Sequence, residues 1–167
     1  MIKHFYIFLF LTFSACAALA QNPKNFDEMA RKMKGKSDTV GITTLKKWME
    51  TEKIAILDTR EEKEYTISHI PKAKYYGYDK PNKDILKDIP KDAVIITYCS
   101  VGYRSGKVAE DLKKQGYKYV YNFYGGIFNW ANNGELIHRK AIKTNEIHGY
   151  NKSWSKWVNT TKLKLVL

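Results

Sequence analysis

Cys99, Gly102 and Arg104 fall within one short stretch, Tyr98-Cys99-Ser100-Val101-Gly102-Tyr103-Arg104-Ser105, and their types and spacing describe a nucleophile in an anion-binding loop. A chain that curls directly from a strand into a helix turns several backbone N–H groups inward, and the helix start adds positive potential. A thiol in such a place has its pKa lowered from about 8.5 towards roughly 3.5–7.5 and reacts as the thiolate. Gly102 supplies the backbone freedom for a tight bend, and Arg104 a fixed cation where loop and helix meet. A sulfur nucleophile beside an anion cradle suits chemistry on an anionic or sulfur-bearing substrate. The bland alternative for Cys99 is an inert thiol that packs as a small hydrophobe.

Such a loop needs a rigid strand before it and a helix after it. Residues 93–98 (AVIITY) form a continuous, β-branched run of the kind expected for a parallel strand covered on both faces. Residues 105–115 follow as an amphipathic helix that Gly116 ends. In open α/β sheets ligands bind outside the carboxyl ends of strands, which is where this loop would lie. Further strands are predicted over 39–42, 54–57, 74–76 and 119–123, with Asp58 closing the second of them. Helices are predicted after Thr43 as a cap, with Leu45, Trp48 and Met49 on one face, then over 61–65, and from Gly125-Gly126 through Trp130. A single helical turn over 84–89 stops at Pro90. Strands alternating with helices imply an α/β domain over residues 39–135: a parallel five-stranded sheet with helices on both faces. Residues 21–38 read as a lead-in, flexible although 26–33 have amphipathic helical spacing. Residues 136–167 leave the rhythm, hold Trp154 and Trp157, alternate Lys with Leu from Lys162, and read as a short C-terminal extension packed on the domain.

The chain has 167 residues, 44% hydrophobic and 28% charged, a balance that excludes disordered, collagen-like and disulfide-dense classes. Its net charge of +12 comes from lysines spread along the whole length, which suits a solvated basic face. No basic block or aromatic-interleaved stripe points to nucleic acid. His138 and His148 lack the companions of a metal site, and neither metal nor cofactor is expected. At the start, Lys3 and His4 precede an apolar run from Phe5 to Phe13 and a small-residue end at Ala18-Leu19-Ala20. That is the layout of a secretory signal peptide, cleaved near Ala20, for a periplasmic or secreted protein. The uncharged stretch, residues 5–20, is short of the roughly 20 residues of a membrane span. The alternative is a lipoprotein, since Phe13-Ser14-Ala15-Cys16 loosely resembles a lipobox and would make Cys16 the lipidated end. Cleavage at Ala20 leaves a charge of +11 and one cysteine, Cys99. A leftover thiol in an exported protein suggests intermolecular pairing or a free reactive group.

Cys-x-x-Gly-x-Arg after an apolar strand resembles the active-site loop of rhodanese-like sulfurtransferases. Three further landmarks appear in order: Asp58-Thr59-Arg60-Glu61, Ser68-His69-Ile70-Pro71-Lys72-Ala73, and Tyr124-Gly125-Gly126 with Trp130. The resemblance implies that Cys99 accepts sulfane sulfur as a persulfide and passes it to a thiophilic acceptor. On that pattern Ser100, Val101, Gly102, Tyr103, Arg104 and Ser105 bind the transferred group, and Arg104 assists anion binding. Removing Arg104 should then weaken anionic donors more than neutral ones. The implied partners are a small sulfur-containing anion or a persulfide as donor and a thiol as acceptor, with no nucleic acid. Asp58 and Arg60 stand near the site as supporting residues, either as a structural ion pair or as substrate contacts. His69 reads as a turn residue, and Gly125-Gly126 as a point of close backbone packing. Ser68 and Lys72 replace glycines of the family pattern, which suggests a tighter or differently routed turn. The loop also lacks the second cation of good thiosulfate users. Two other readings use the same fold. One is a non-catalytic or redox-sensing module; the other is a phosphatase or arsenate reductase, whose loops usually carry one more residue between Cys and Arg.

Overall fold

The computed structural model describes residues 23–51 and 53–167; the predicted export segment, with Cys16 and Ala20, lies outside the described residues. Strands β1 (Thr39–Val40), β2 (Ile54–Asp58), β3 (Lys74–Tyr75), β4 (Val94–Tyr98) and β5 (Tyr119–Phe123) form one parallel sheet in the order β1-β5-β4-β2-β3. Helices α1 (Phe26–Met33), α2 (Ile42–Thr51), α3 (Glu62–Ile67), α4 (Tyr103–Lys114) and α5 (Gly126–Asn132) flank it, with a 3-10 turn at Lys83–Leu86. This is the α/β sheet that the alternation predicted.

The central place of β4 accounts for its composition, since Ile95, Ile96, Thr97 and Tyr98 are all fully buried. Ile96 and Tyr98 meet Met29, Leu45, Ile127 and Phe128 on one face, and Ile95 meets Val108, Ala109 and Leu112 of α4 on the other. Each aliphatic side chain buried this way contributes about 1.5–3 kcal/mol. The polar exception, Thr97, donates its hydroxyl to the Ser105 carbonyl at 3.0 Å and so ties β4 to the first turn of α4.

Two local expectations change. Residues 26–33 are no loose lead-in: α1 is capped by the Asn25 side chain on the Glu28 N–H, and it buries Met29 and Ala30 in the core. Its apolar spacing was strong enough to dock it. Thr43 sits inside α2 rather than capping it, because the Gly41 carbonyl already accepts from the Leu45 N–H at 3.0 Å.

Beyond α5 the chain forms a hairpin of β6 (Ile137–Arg139) and β7 (Ile142–Thr144), then a parallel pair of β8 (Glu146–His148) and β9 (Lys164–Val166) around α6 (Lys152–Ser155). Ile137, Ile147 and Val158 join the main core, and His69 and His138 exchange backbone hydrogen bonds at 2.8 and 2.9 Å. The His69 ring stacks on Tyr65 and sets its two nitrogens against the carbonyls of Tyr65 and Lys140, the structural role its motif suggested. None of the described helices is long and apolar enough to cross a membrane.

The turn after His69 shows how a lost glycine is absorbed. Lys72 takes φ 65°, the left-handed conformation a glycine would adopt freely, while Ser68 is extended at φ −165°. Lys72→Gly is therefore expected to raise stability by about 0.5 kcal/mol, the relief of left-handed strain less the entropy glycine adds to the unfolded chain. Urea denaturation of the two proteins checks this.

Candidate active site

β4 ends at Tyr98, opposite Asp58 of β2 in the parallel register, and the next residue starts the loop. Cys99 is 1% exposed, and the Gly102 N–H donates to its Sγ at 3.1 Å. Gly102 reaches that position at φ 109°, a region L side chains rarely adopt. The carbonyls of Cys99 and Ser100 point the other way, accepting from the N–H groups of Ile127 and Phe128 at 2.9 and 3.1 Å. The start of α5 thus satisfies the loop's acceptors and leaves its donors for the sulfur. This contact needs Gly126: a Cβ there would lie 2.2 Å from the Cys99 oxygen. Gly126→Ala should cost on the order of 2–3 kcal/mol and most of any Cys99 reactivity, read by thermal denaturation and by alkylation rate.

Burial by itself pushes the Cys99 thiol up, but the Arg104 charge, the Ser105 hydroxyl and N–H, and the Val101 N–H outweigh it, and the net shift is downward. The direction is the one expected for a thiol in such a loop. Ser105 is fully buried, and its hydroxyl also bonds Asn122, whose amide donates to the Gly102 carbonyl at 2.9 Å.

Arg104 is where the sequence placed it, but its guanidinium is engaged. It grips Glu64 with both ends of its fork, at 2.7 and 2.9 Å, and donates to the Ser100 hydroxyl at 3.1 Å. Ser100 in turn donates to Glu64 at 3.0 Å. The Glu64 carboxylate has no exposed side-chain surface. Burial would raise its pKa, yet Arg104 more than offsets that and holds it low. The cation expected to assist anion binding is thus already paired, although it still lines the cavity over Cys99. Arg104 belongs to a neutralised pair that locks the loop to α3. The sequence signal for Glu64 was the Glu61-x-x-Glu64 spacing of a capping box, and Glu64 does accept the Glu61 N–H at 3.0 Å.

Asp58 and Arg60 form a fully buried ion pair, with Nη2 to Oδ2 at 2.7 Å. Tyr98 donates to Asp58 at 2.6 Å and accepts the Ile70 N–H, while Arg60 also donates to the Ser68 carbonyl. Of their two open readings, the structural one fits. They brace the strand ends behind the loop and do not border the cavity that opens over Cys99.

That cavity measures about 360 Å³. Its loop side is Cys99, Ser100, Val101, Tyr103 and Arg104; its walls are Glu61, Tyr78, Asp79, Tyr150 and Trp154. Tyr150 and Trp154 come from the C-terminal extension and carried no motif. The Arg104 guanidinium lies 4.9 Å from the centroid of the Tyr150 ring.

The sequence matches the rhodanese-like domain family over residues 42–133, just over half the chain. The chain belongs to this family. Rhodanese-like relatives include the thiosulfate sulfurtransferase GlpE of Coxiella burnetii, 32% identical over 91 residues, with 53% of this chain and 84% of that protein covered. They also include the probable adenylyltransferase/sulfurtransferase MoeZ of Mycobacterium tuberculosis, 31% identical over 107 residues. The match covers 63% of this chain but spans about a quarter of MoeZ's length, 27%. Among solved structures, the BH2092 protein of Bacillus halodurans is 30% identical with a TM-score of 0.55, covering 66% of this chain and 82% of that one. Tyr150 and Trp154 lie beyond the family match.

Proposed function

We propose that this protein is an exported sulfurtransferase that carries sulfane sulfur on Cys99. The observation that carries the reading is the Cys99 Sγ, buried at the base of an open cavity, with its pKa lowered and a loop N–H donated to it at 3.1 Å. The Cys99 thiolate attacks the outer sulfur of a donor, thiosulfate or a persulfide, and the donor's S–S bond breaks. The remainder leaves as sulfite or a thiolate. The persulfide keeps its negative charge on the outer sulfur, against the N–H groups of the Ser100–Ser105 loop. A thiol acceptor then attacks that sulfur, its proton passes to the new persulfide, and the Cys99 thiolate is the leaving group. Family membership and relatives named as sulfurtransferases support this course. The segment 1–20 supports export, with cleavage near Ala20, and lipidation of Cys16 is the competing fate.

Intact mass and peptide mapping test the function. Exposure to thiosulfate or inorganic polysulfide should add one sulfur atom to Cys99, and a thiol should remove it. Turnover of an aryl phosphate with no sulfur gain would replace this reading by the phosphatase one. N-terminal sequencing that begins at Cys16 would replace soluble release by lipidation.

A further inference from the structure

The cavity over Cys99 is built partly from residues that the family match does not reach. Tyr150 lies just after β8, and Trp154 lies in α6. With Tyr78 and Tyr103 they give the cavity four aromatic walls, and Glu61 and Asp79 add carboxylates. Among the described lining residues the one cation is Arg104, and Glu64 neutralises it. Lys107 is not among the lining residues and holds its ammonium over the Tyr103 ring, 4.5 Å from the centroid. A small dianion can be held by the loop N–H groups at the floor, but it fills little of a space of about 360 Å³ and leaves the aromatic walls unused. A flat apolar body would be covered on several sides.

The position of Tyr150 is also held against its own preference. Its φ of 66° is left-handed, which a tyrosine adopts only when surroundings impose it. The Tyr150 N–H donates to His148 Nδ1 at 3.0 Å, and the Gly149 N–H donates to the Val166 carbonyl at 2.8 Å. His148 is buried, burial holds its pKa down, and the neutral ring keeps the lone pair that accepts this bond. The β8–β9 pair thus fixes a strained residue over the loop, and the result of the strain is an aromatic ring at the mouth of the site.

Resting on the sulfur-transfer reading, we infer that the acceptor of the Cys99 sulfur is an organic thiol with a flat apolar body and no negative charge, selected by Tyr150 and Trp154 of the C-terminal extension. Its thiol attacks the outer sulfur of the Cys99 persulfide anion. The sulfur–sulfur bond to Cys99 breaks, a new one forms on the acceptor, the acceptor's proton moves to the new persulfide, and Cys99 leaves as thiolate. No oxidant or reductant is consumed.

The experiment loads the full chain with inorganic polysulfide, locates the added sulfur by peptide mapping, and times its removal by three thiols. Benzyl mercaptan should discharge Cys99 about tenfold more efficiently than 2-mercaptoethanol, the gain expected from stacking plus buried apolar area. The negatively charged 4-(mercaptomethyl)benzoate should fall about tenfold below benzyl mercaptan, since it sets a carboxylate against Glu61 and Asp79. Trp154→Ala should collapse the ratio of the first two rates. Tyr150→Asn should lower it as well while melting no earlier than the parent, because asparagine tolerates the left-handed backbone. Equal discharge by benzyl mercaptan and 2-mercaptoethanol, or a ratio untouched in both variants, would overturn the inference and leave sulfur transfer standing. Equal discharge by the benzoate would overturn its charge selection. A Cys99 that takes up no sulfur at all would overturn both.

Discussion

Cys99→Ser is expected to take up no sulfur and to transfer none, with the fold intact. The substitution exchanges one atom, and a serine Oγ can still accept the Gly102 N–H that now reaches Sγ. Because the partner is kept, no donor is left stranded, and the change in stability should stay within about 1 kcal/mol. Chemistry is another matter. The loop lowers the pKa of a thiol, but a serine hydroxyl starts far too high for the same field to ionise it, and it forms no persulfide. Cys16 is the other cysteine of the chain and lies in the segment proposed to be removed, so the mature protein has no second thiol to take over. The comparison is intact mass after polysulfide treatment together with a transfer assay. Sulfur transfer by the purified variant above the uncatalysed rate would place the chemistry elsewhere.

The sheet was legible because β4 and its neighbours are nearly uniform in chemistry. An AVIITY run followed by a helix admits few alternatives, and the Asp58↔Tyr98 register follows once the strands are parallel. The loop was legible because a thiol, a glycine and an arginine at fixed spacing have few other reasons to be together. Glu64 was missed for the opposite reason. On a short charged helix one more glutamate reads as a solvated side chain, and what buries it is the approach of Arg104, 40 residues further on. For Arg104 the sequence shows a cation but not that Glu64 occupies its fork. The extension was opaque because its contribution depends on where the chain returns. Nothing local to Tyr150 or Trp154 signals a cavity, and the β8–β9 pairing that brings them there joins segments 18 residues apart in register, Glu146↔Lys164.

Arg104→Ala should destabilise the protein by about 3–5 kcal/mol, because it strips the buried Glu64 carboxylate of its hydrogen-bonded counter-charge. The Ser100 hydroxyl also loses the guanidinium that donates to it. Since the pair neutralises itself, transfer should fall alike with thiosulfate and with a neutral organic trisulfide, through a loosened loop and a thiol whose pKa rises without Arg104 beside it. The pH profile of Cys99 alkylation should therefore move upward in the variant. Stability has its own pH dependence. Glu64 titrates lower in the folded protein than in the unfolded chain, so the pair's contribution is complete above the ordinary carboxylate range and is lost as pH falls through the folded value. The gap between parent and variant should be widest near neutrality and narrow in acid. Replacing both partners by apolar residues, Arg104→Met with Glu64→Leu, should cost less than the two single changes added together, the signature of a buried pair whose partners are expensive mainly when left alone. Additive losses would mean that Arg104 and Glu64 act independently, and a loss confined to thiosulfate would return Arg104 to the role of an anion-binding cation.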